Sequence, residues 1–350
     1  MDENELMGSM KVSKAVAKMA IPSVISSLVT VVYNVADTFF VGQTGDPLQV
    51  AAVSQTNPIF ILFMAFANMF GMGGSAAASM ALGEKKEKRV KQVSSFITYA
   101  SLIVGIVFAV ILLVGMQPVL QLFGADADTY ELAKGYTTYI SYGAPFIIWS
   151  AAASFVVRSD GASREAMTGS MIGTVANIIL DPIFISGFGM GAAGAAIATT
   201  IGNIMASVYY LWYFCRKSRN MSMAFRYFKC GDRILSQVCS AGLPTAIFSA
   251  LMSISTIILN QILVAYGNAP VAAIGIVFKA NMFITFLQMG LANGVQPLLG
   301  YSYGAGNRER FIAVERYTKK CCLIVGVLAT ALFFFFREPI IRLFISDTEV

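Results

Sequence analysis

The sequence contains no histidine, and this absence limits the chemistry that the protein can perform. Histidine is the commonest general base and the commonest metal ligand, so most nucleophile activation and metal-assisted hydrolysis are excluded. No phosphate-binding glycine loop, dinucleotide fingerprint or HExxH motif is present either. Five cysteines without a CxxC pair give neither a disulfide framework nor a zinc site. We therefore expect no enzyme and no resident cofactor.

Charged residues are also scarce. They make up 13% of the 350 residues, whereas about 25% is usual in a soluble domain. Hydrophobic residues reach 57%, and the segment 51–82 contains no Asp, Glu, Lys or Arg. A helix needs about 20 apolar residues to cross a bilayer, and this segment is longer than that. The composition predicts an all-α, polytopic membrane protein.

Nine membrane-spanning helices are predicted from the apolar runs. They cover approximately residues 19–42, 50–82, 92–123, 135–157, 166–188, 191–214, 234–266, 270–303 and 313–336. Basic residues concentrate in the N-terminal segment and in every second loop, most densely in 85–91 and 216–233. Since basic loops stay in the cytoplasm, the N-terminus and the even-numbered loops are predicted to be cytoplasmic. The net charge of +6 is therefore attributed to membrane orientation, and no nucleic-acid partner is expected.

The first and last thirds of the chain are similar at a nearly constant offset. With a shift of 221 residues, landmark residues coincide: Gly73 with Gly294, Gly83 with Gly304, Gly105 with Gly326, Pro118 with Pro339, and Asp126 with Asp347. Six spans separate the equivalent helices, so the repeats are predicted to run parallel. We expect a six-helix N-terminal lobe (1–217), an inter-lobe loop (218–233) and a partial C-terminal lobe of three helices (234–350). By the same repeat we expect a truncated form of a parent chain of about 450 residues.

Three charged side chains lie well inside the predicted spans, namely Asp37, Asp181 and Lys279. A charge at membrane depth costs about 2.5–3.5 kcal/mol on insertion scales, which makes each of them a candidate for an ion or substrate path. Aspartate is too short to snorkel far towards water. For Lys279, cation repulsion, contact with an anionic group of the substrate and structural pairing all remain open.

Polar residues accompany the two aspartates at helical spacing. Tyr33 and Asn34 lie about one turn before Asp37, and Asn177 lies one turn before Asp181. Carboxylate, amide and hydroxyl oxygens are hard ligands for a small cation. Two carboxylates that approach closely would also share a proton. Asp37, Asn177 and Asp181 are therefore predicted to bind either Na⁺ or H⁺.

A second group of residues is predicted to line a substrate cavity. Methionine adapts its shape to varied ligands, so Met64 and Met282 are candidates, although packing or lipid-facing methionines are the alternative. The polar members of the group are Asn34, Asn260, Gln261 and Lys279. Asn260 and Gln261 follow Leu259, which is the repeat equivalent of Asp37.

Several stretches resemble the multidrug and toxic-compound extrusion (MATE) family of transporters. They are residues 21–42, 158–167, 177–184, 194–199 and 294–305. The resemblance implies twelve helices in two six-helix lobes across a V-shaped cavity. It also implies export of cationic or amphipathic compounds in exchange for Na⁺ or H⁺. A monomer in the bilayer of the bacterial cytoplasmic (inner) membrane is expected.

The resemblance extends to the cation site of the DinF-like branch of this family. Carried over by motif, it implies that Tyr33, Asp37, Asn177, Asp181 and Thr199 couple cation binding to transport, Thr199 resting on the resemblance alone. Another branch uses an acidic residue in the seventh helix, where this chain has Leu259. A second carboxylate site is therefore not expected in the helices present.

Two other functions stay open at this point. A flippase of lipid-linked oligosaccharides or precursors would need several basic residues in the cavity, and Lys279 is the one available. A degenerate fragment that acts only as an interaction protein is the other alternative. The sequence chooses neither the coupling ion nor the substrate.

Overall fold

The computed structural model describes residues 5–43, 45–229, 231, 233–264 and 268–336. The side chain of Thr38 and those of a number of residues between 249 and 280 are outside the description. Three of the predicted cavity side chains, those of Asn260, Gln261 and Lys279, lie outside the described residues.

The described chain is mostly helical and contains no strand. Its helices are α1 (Val12–Gly42), α2 (Pro47–Gly83), α3 (Glu87–Val114), α4 (Met116–Leu122), α5 (Tyr130–Ser159), α6 (Ser163–Pro182), α7 (Gly191–Trp212), α8 (Ile234–Val264), α9 (Asn268–Gly304) and α10 (Arg308–Phe335). All except α4 have at least 20 residues and coincide with the nine predicted spans. Over the described residues, seven helices are long and apolar enough to cross a membrane.

The third predicted span, 92–123, is divided in the structure. α3 ends at Val114, and Gly115 adopts a non-helical φ of −99° and ψ of 25° before α4 begins. Pro118 has no amide hydrogen to bond the carbonyl four residues earlier, so the helical hydrogen bonding is interrupted here. A prediction based on hydropathy joined the two helices because both are apolar.

Following the sequence repeat, we group the helices into two bundles. The first bundle consists of α1, α2, α3, α5, α6 and α7, and α5 packs against α2, α3 and α7 near its centre. The largest buried cluster of the first bundle includes Phe96, Trp149 and Tyr210. The second bundle consists of α8, α9 and α10, and it meets the first where α9 packs on α1 and α8 packs on α2.

Close contacts between the bundles repeat the internal offset of the sequence. Gly83 lies against the backbone of Tyr301, and Gly304 lies against the backbone of Met80. Each residue of one contact is 221 positions from its counterpart in the other. The two contacts are therefore related by an approximate two-fold axis. They lie at the end of the molecule where α1, α3 and α8 begin, which we call the basic end after its loops.

The segment between the bundles is held onto the first bundle at the basic end. The buried carboxylate of Asp160 accepts hydrogen bonds from Tyr213 Oη (2.9 Å), Ser218 Oγ (2.7 Å) and Asn220 Nδ2 (3.1 Å). Farther along, Tyr99 Oη donates to the carbonyl oxygen of Met223 at 2.9 Å. These bonds connect the inter-bundle segment to α3 and to the α5–α6 loop.

Candidate functional site

The two intramembrane aspartates lie at the same level, towards the end opposite the basic end. Asp37 is five residues before Gly42, where α1 ends. Asp181 is in the last turn of α6, immediately before Pro182. Since α1 and α6 pack together and both run away from the basic end, their last turns are neighbours.

Asn177 joins Asp181 to α7. The amide orientation that satisfies the hydrogen bonding has Asn177 Nδ2 donating to Asp181 Oδ2 at 3.0 Å. In the same orientation Asn177 Oδ1 accepts from Thr199 Oγ1 at 3.2 Å and from Thr199 N at 2.9 Å. All three side chains are buried, with exposed fractions of 3%, 0% and 6% for Asn177, Asp181 and Thr199. The network therefore lies in the interior of the first bundle.

α1 completes the site from the other side. The hydroxyl of Tyr33 lies 3.5 Å from Thr199 Oγ1, so Tyr33 extends the network from α7 to α1. Asp37, one turn further on, is half-buried and lies within electrostatic range of both Asp181 and Tyr33. The structure thus brings together all five residues of the predicted cation site.

Sequence reasoning missed Tyr136, on α5. This tyrosine lies within electrostatic range of Asp37 and Asp181, and its ring packs against the buried cluster that contains Val41 and Ile185. An aromatic residue in an apolar helix is ordinarily a packing residue, and no charge or repeat marks Tyr136 in the sequence. Only the packing of α5 against α7 reveals its position.

One oxygen atom of the site has no protein partner. Asp181 Oδ1 is fully buried and makes no hydrogen bond within the described part of the chain. Buried polar atoms are nearly always paired, so an unpaired carboxylate oxygen is a position for a proton or a small cation. Among the described residues no three acidic or cysteine side chains cluster as a transition-metal site requires. Carboxylate, amide and hydroxyl oxygens instead suit H⁺ or Na⁺.

The predicted cavity residues whose side chains are described lie on three different helices. Met64 packs partly buried against the α2–α5 core cluster around Phe63 and Ile147. Met282 is half-buried on α9, in the second bundle, and Asn34 is half-buried on α1. Their roles in substrate binding stay predictions.

Comparison with known proteins gives a consistent set of relatives. The family model described as MatE matches residues 22–183 and 244–350. The multidrug export protein MepA of Staphylococcus saprophyticus is 32% identical over 97% of this chain and 75% of its own length. MepA of Staphylococcus aureus is 31% identical over the same shares.

Solved structures of MATE transporters also superpose on this chain. A crystal structure of MATE in complex with MaD3S superposes with a TM-score of 0.93 at 27% identity, covering 98% of this chain and 77% of that one. The outward-facing conformation of a multidrug resistance MATE family transporter of the MOP superfamily gives a TM-score of 0.89 at 26% identity, covering 98% and 76%.

Proposed function

The chain belongs to the MatE family of multidrug and toxic-compound extrusion transporters, and on that premise we propose that it exports cationic or amphipathic small molecules in exchange for H⁺ or Na⁺. It is a membrane protein with several spans, and as a member of a transporter family it is not an enzyme. The substrate class follows the relatives, which are named multidrug export proteins.

We also propose in which membrane the chain lies and which of its ends faces the cytoplasm. The chain works as a monomer in the bacterial cytoplasmic membrane. Its basic end and N-terminus face the cytoplasm, because lysine and arginine concentrate in the loops at that end. Residues 1–217 and 234–350 act as the two lobes that move relative to each other, and 218–233 connects them.

The mechanism uses the cation site of the first bundle as the coupling element. In the present arrangement, glycine-mediated contacts close the space between the bundles at the basic end. This arrangement corresponds to an outward-facing state. A cation reaches Asp37 and Asp181 from outside, and its binding draws the α1, α6 and α7 residues together. Substrate leaves outwards, and the bundles then rock to face the cytoplasm.

The observation that carries the proposal is the buried Asp181 carboxylate, oriented by Asn177, with one oxygen that has no hydrogen-bond partner among the described residues. A carboxylate without a cationic partner at this depth is costly unless it binds an ion or a proton. The pair of carboxylates therefore supports ion-coupled transport.

Transport by the purified chain in proteoliposomes tests the proposal. Dye efflux is measured across imposed Na⁺ and pH gradients for the wild type, Asp37→Asn and Asp181→Asn. We expect gradient-driven efflux by the wild type and its loss in both variants, with unchanged membrane insertion. Full efflux by the variants would refute the coupling role, and translocation of a lipid-linked precursor without dye efflux would favour the flippase.

A further inference from the structure

A pocket at the basic end lies between the two bundles and is not part of the cation site. Its volume is about 660 Å³, and its wall from the first bundle is formed by residues of the α2–α3 loop and the start of α3. Arg233 and Gln237 form the opposite wall, at the start of α8. Arg89 Nη2 donates to Gln237 Oε1 at 2.8 Å, so the two walls are directly connected.

The lining is predominantly basic. It contains four cationic side chains and two acidic ones; they are Lys86, Lys88, Arg89 and Arg233, with Glu84 and Glu87. Lys86 pairs with Glu84 at 2.8 Å. The remaining lining charges are three positive and one negative, so the pocket has an excess of positive charge. The helix α3 begins here, and its N-cap residue, Lys86, makes no capping hydrogen bond with its side chain. The positive end of the helix dipole adds to the excess of positive charge.

Two basic residues with positive φ lie at this pocket, Arg233 in its wall and Lys85 between the lining residues Glu84 and Lys86. Lys85 has a φ of +58° and Arg233 a φ of +61°, and within the described chain these are the two non-glycine residues with positive φ. At the repeat equivalent of Lys85 the chain has Gly306, with a φ of +68°. Glycine is the usual residue in this conformation after a helix. Strained non-glycine residues tend to cluster at functional sites.

Aromatic residues of the inter-bundle segment pack on α3, the helix whose first turns line the pocket. The ring of Tyr99 is 5.4 Å from that of Phe225 and 5.5 Å from that of Phe228, and Phe225 is 70% exposed. Arg226 lies over the ring of Tyr227 at 4.9 Å. Exposed aromatic and basic side chains together are typical of the level of the lipid headgroups. A basic pocket between transmembrane helices at this level is suited to an anionic headgroup.

We propose that this pocket binds the phosphate-bearing headgroup of an anionic phospholipid and so holds the two bundles together at the basic end. The headgroup phosphate accepts hydrogen bonds from Lys88 of the first bundle and Arg233 of the second. Since its ligands come from both bundles, the lipid stabilises the arrangement in which this end is closed. The inference does not depend on the substrate or the coupling ion.

Thermal unfolding of the purified chain in detergent, with added phosphatidylglycerol or phosphatidylcholine, tests the proposal. We expect phosphatidylglycerol to raise the melting temperature of the wild type more than phosphatidylcholine does. In Lys88→Gln/Arg233→Gln this difference should fall by at least half. Native mass spectrometry should show fewer bound phosphatidylglycerol molecules in the same variant.

Matched variants separate the pocket from general charge. Arg316→Gln/Lys320→Gln removes two exposed basic residues of α10 and should keep the full lipid effect, as should the charge-conserving Arg233→Lys. Equal losses in both glutamine variants, or an undiminished effect in Lys88→Gln/Arg233→Gln, would overturn the proposal. Glycerol phosphate that stabilised the wild type as well as the lipid does would also overturn it, because the ligand would then be a free anion.

Discussion

Asn177 Nδ2 donates a hydrogen bond of 3.0 Å to Asp181 Oδ2, one turn further along α6. This bond fixes the carboxylate so that its other oxygen stays buried and unpaired among the described residues. Thr199 holds the amide of Asn177 in place through two further bonds. The side chains of the proposed cation site are thus oriented in advance, which would reduce the ordering that ion binding requires.

Thr199→Val should weaken binding of the coupling ion. The variant removes the hydroxyl that bonds Asn177 and lies near Tyr33, while the backbone N–H of residue 199 still bonds Asn177. The loss of such a hydrogen bond costs about 0.5–1.5 kcal/mol. We expect the ion concentration for half-maximal efflux in proteoliposomes to rise by up to about tenfold. Thr199→Ser keeps the hydroxyl and serves as the control. An unchanged half-maximal concentration in Thr199→Val would contradict the role given to this bond.

Substitution of the glycines between the bundles should destabilise the closed basic end. A Cβ atom on Gly304 would overlap the backbone of Met80, and one on Gly83 would overlap that of Tyr301. We expect Gly83→Ala and Gly304→Ala each to lower the free energy of unfolding by about 1–3 kcal/mol, measured by thermal or denaturant unfolding. Gly275→Ala is the control, because no described atom lies within 4 Å of its added Cβ. Equal stability in all three variants would show that the bundles are not closely packed here.

Asp160→Ala should release the inter-bundle segment. Three donors, on Tyr213, Ser218 and Asn220, lose their common acceptor in this variant. We expect tryptic cleavage after Arg219 and Arg226 to become at least about tenfold faster, since each of the three lost bonds is worth about 0.5–1.5 kcal/mol. Asp128→Ala, at the opposite end, should leave the cleavage rate unchanged. A rate in Asp160→Ala equal to the wild type would show that other contacts hold the segment.

Asp126 should make stability depend on pH in the acid range. The O–H and N–H of Thr129 donate to Asp126 Oδ1 at 2.8 and 3.0 Å, and these bonds lower the pKa of this carboxyl. A lowered folded-state pKa stabilises the fold above the unfolded value of about 3.9, and this contribution is lost as the pH falls through the folded value.

The difference in melting temperature between the wild type and Asp126→Asn checks this expectation. It should be constant near neutral pH and shrink as the pH falls below about 4. Asp128→Asn, two residues along the same loop, controls for general loss of negative charge. The hydrogen-bonding explanation would be contradicted if the difference in melting temperature stayed constant down to the lowest pH at which the protein remains folded.

Much of the fold could be predicted because its signals are local or periodic. Apolar runs long enough to cross a bilayer predicted the nine long helices of the described residues. The offset of 221 residues related Gly83 to Gly304 without any knowledge of their contacts. The boundary at Gly115 was missed, because hydropathy does not register a lost hydrogen bond between two apolar helices. The structure supplied that bend.

The membrane class, the repeat and the two aspartates could be identified from the sequence, because long apolar runs, a constant offset and a charge among apolar residues are all visible there. The groups that surround the aspartates depend on how the helices pack. Tyr136 reaches the site through the packing of α5, and Thr199 bonds Asn177 across the contact of α6 with α7. The basic pocket likewise needs α3 and α8 side by side, although 148 residues separate Arg89 from Gln237. Contacts between distant segments depend on how helices pack, and helix-packing geometry is not written in local hydropathy.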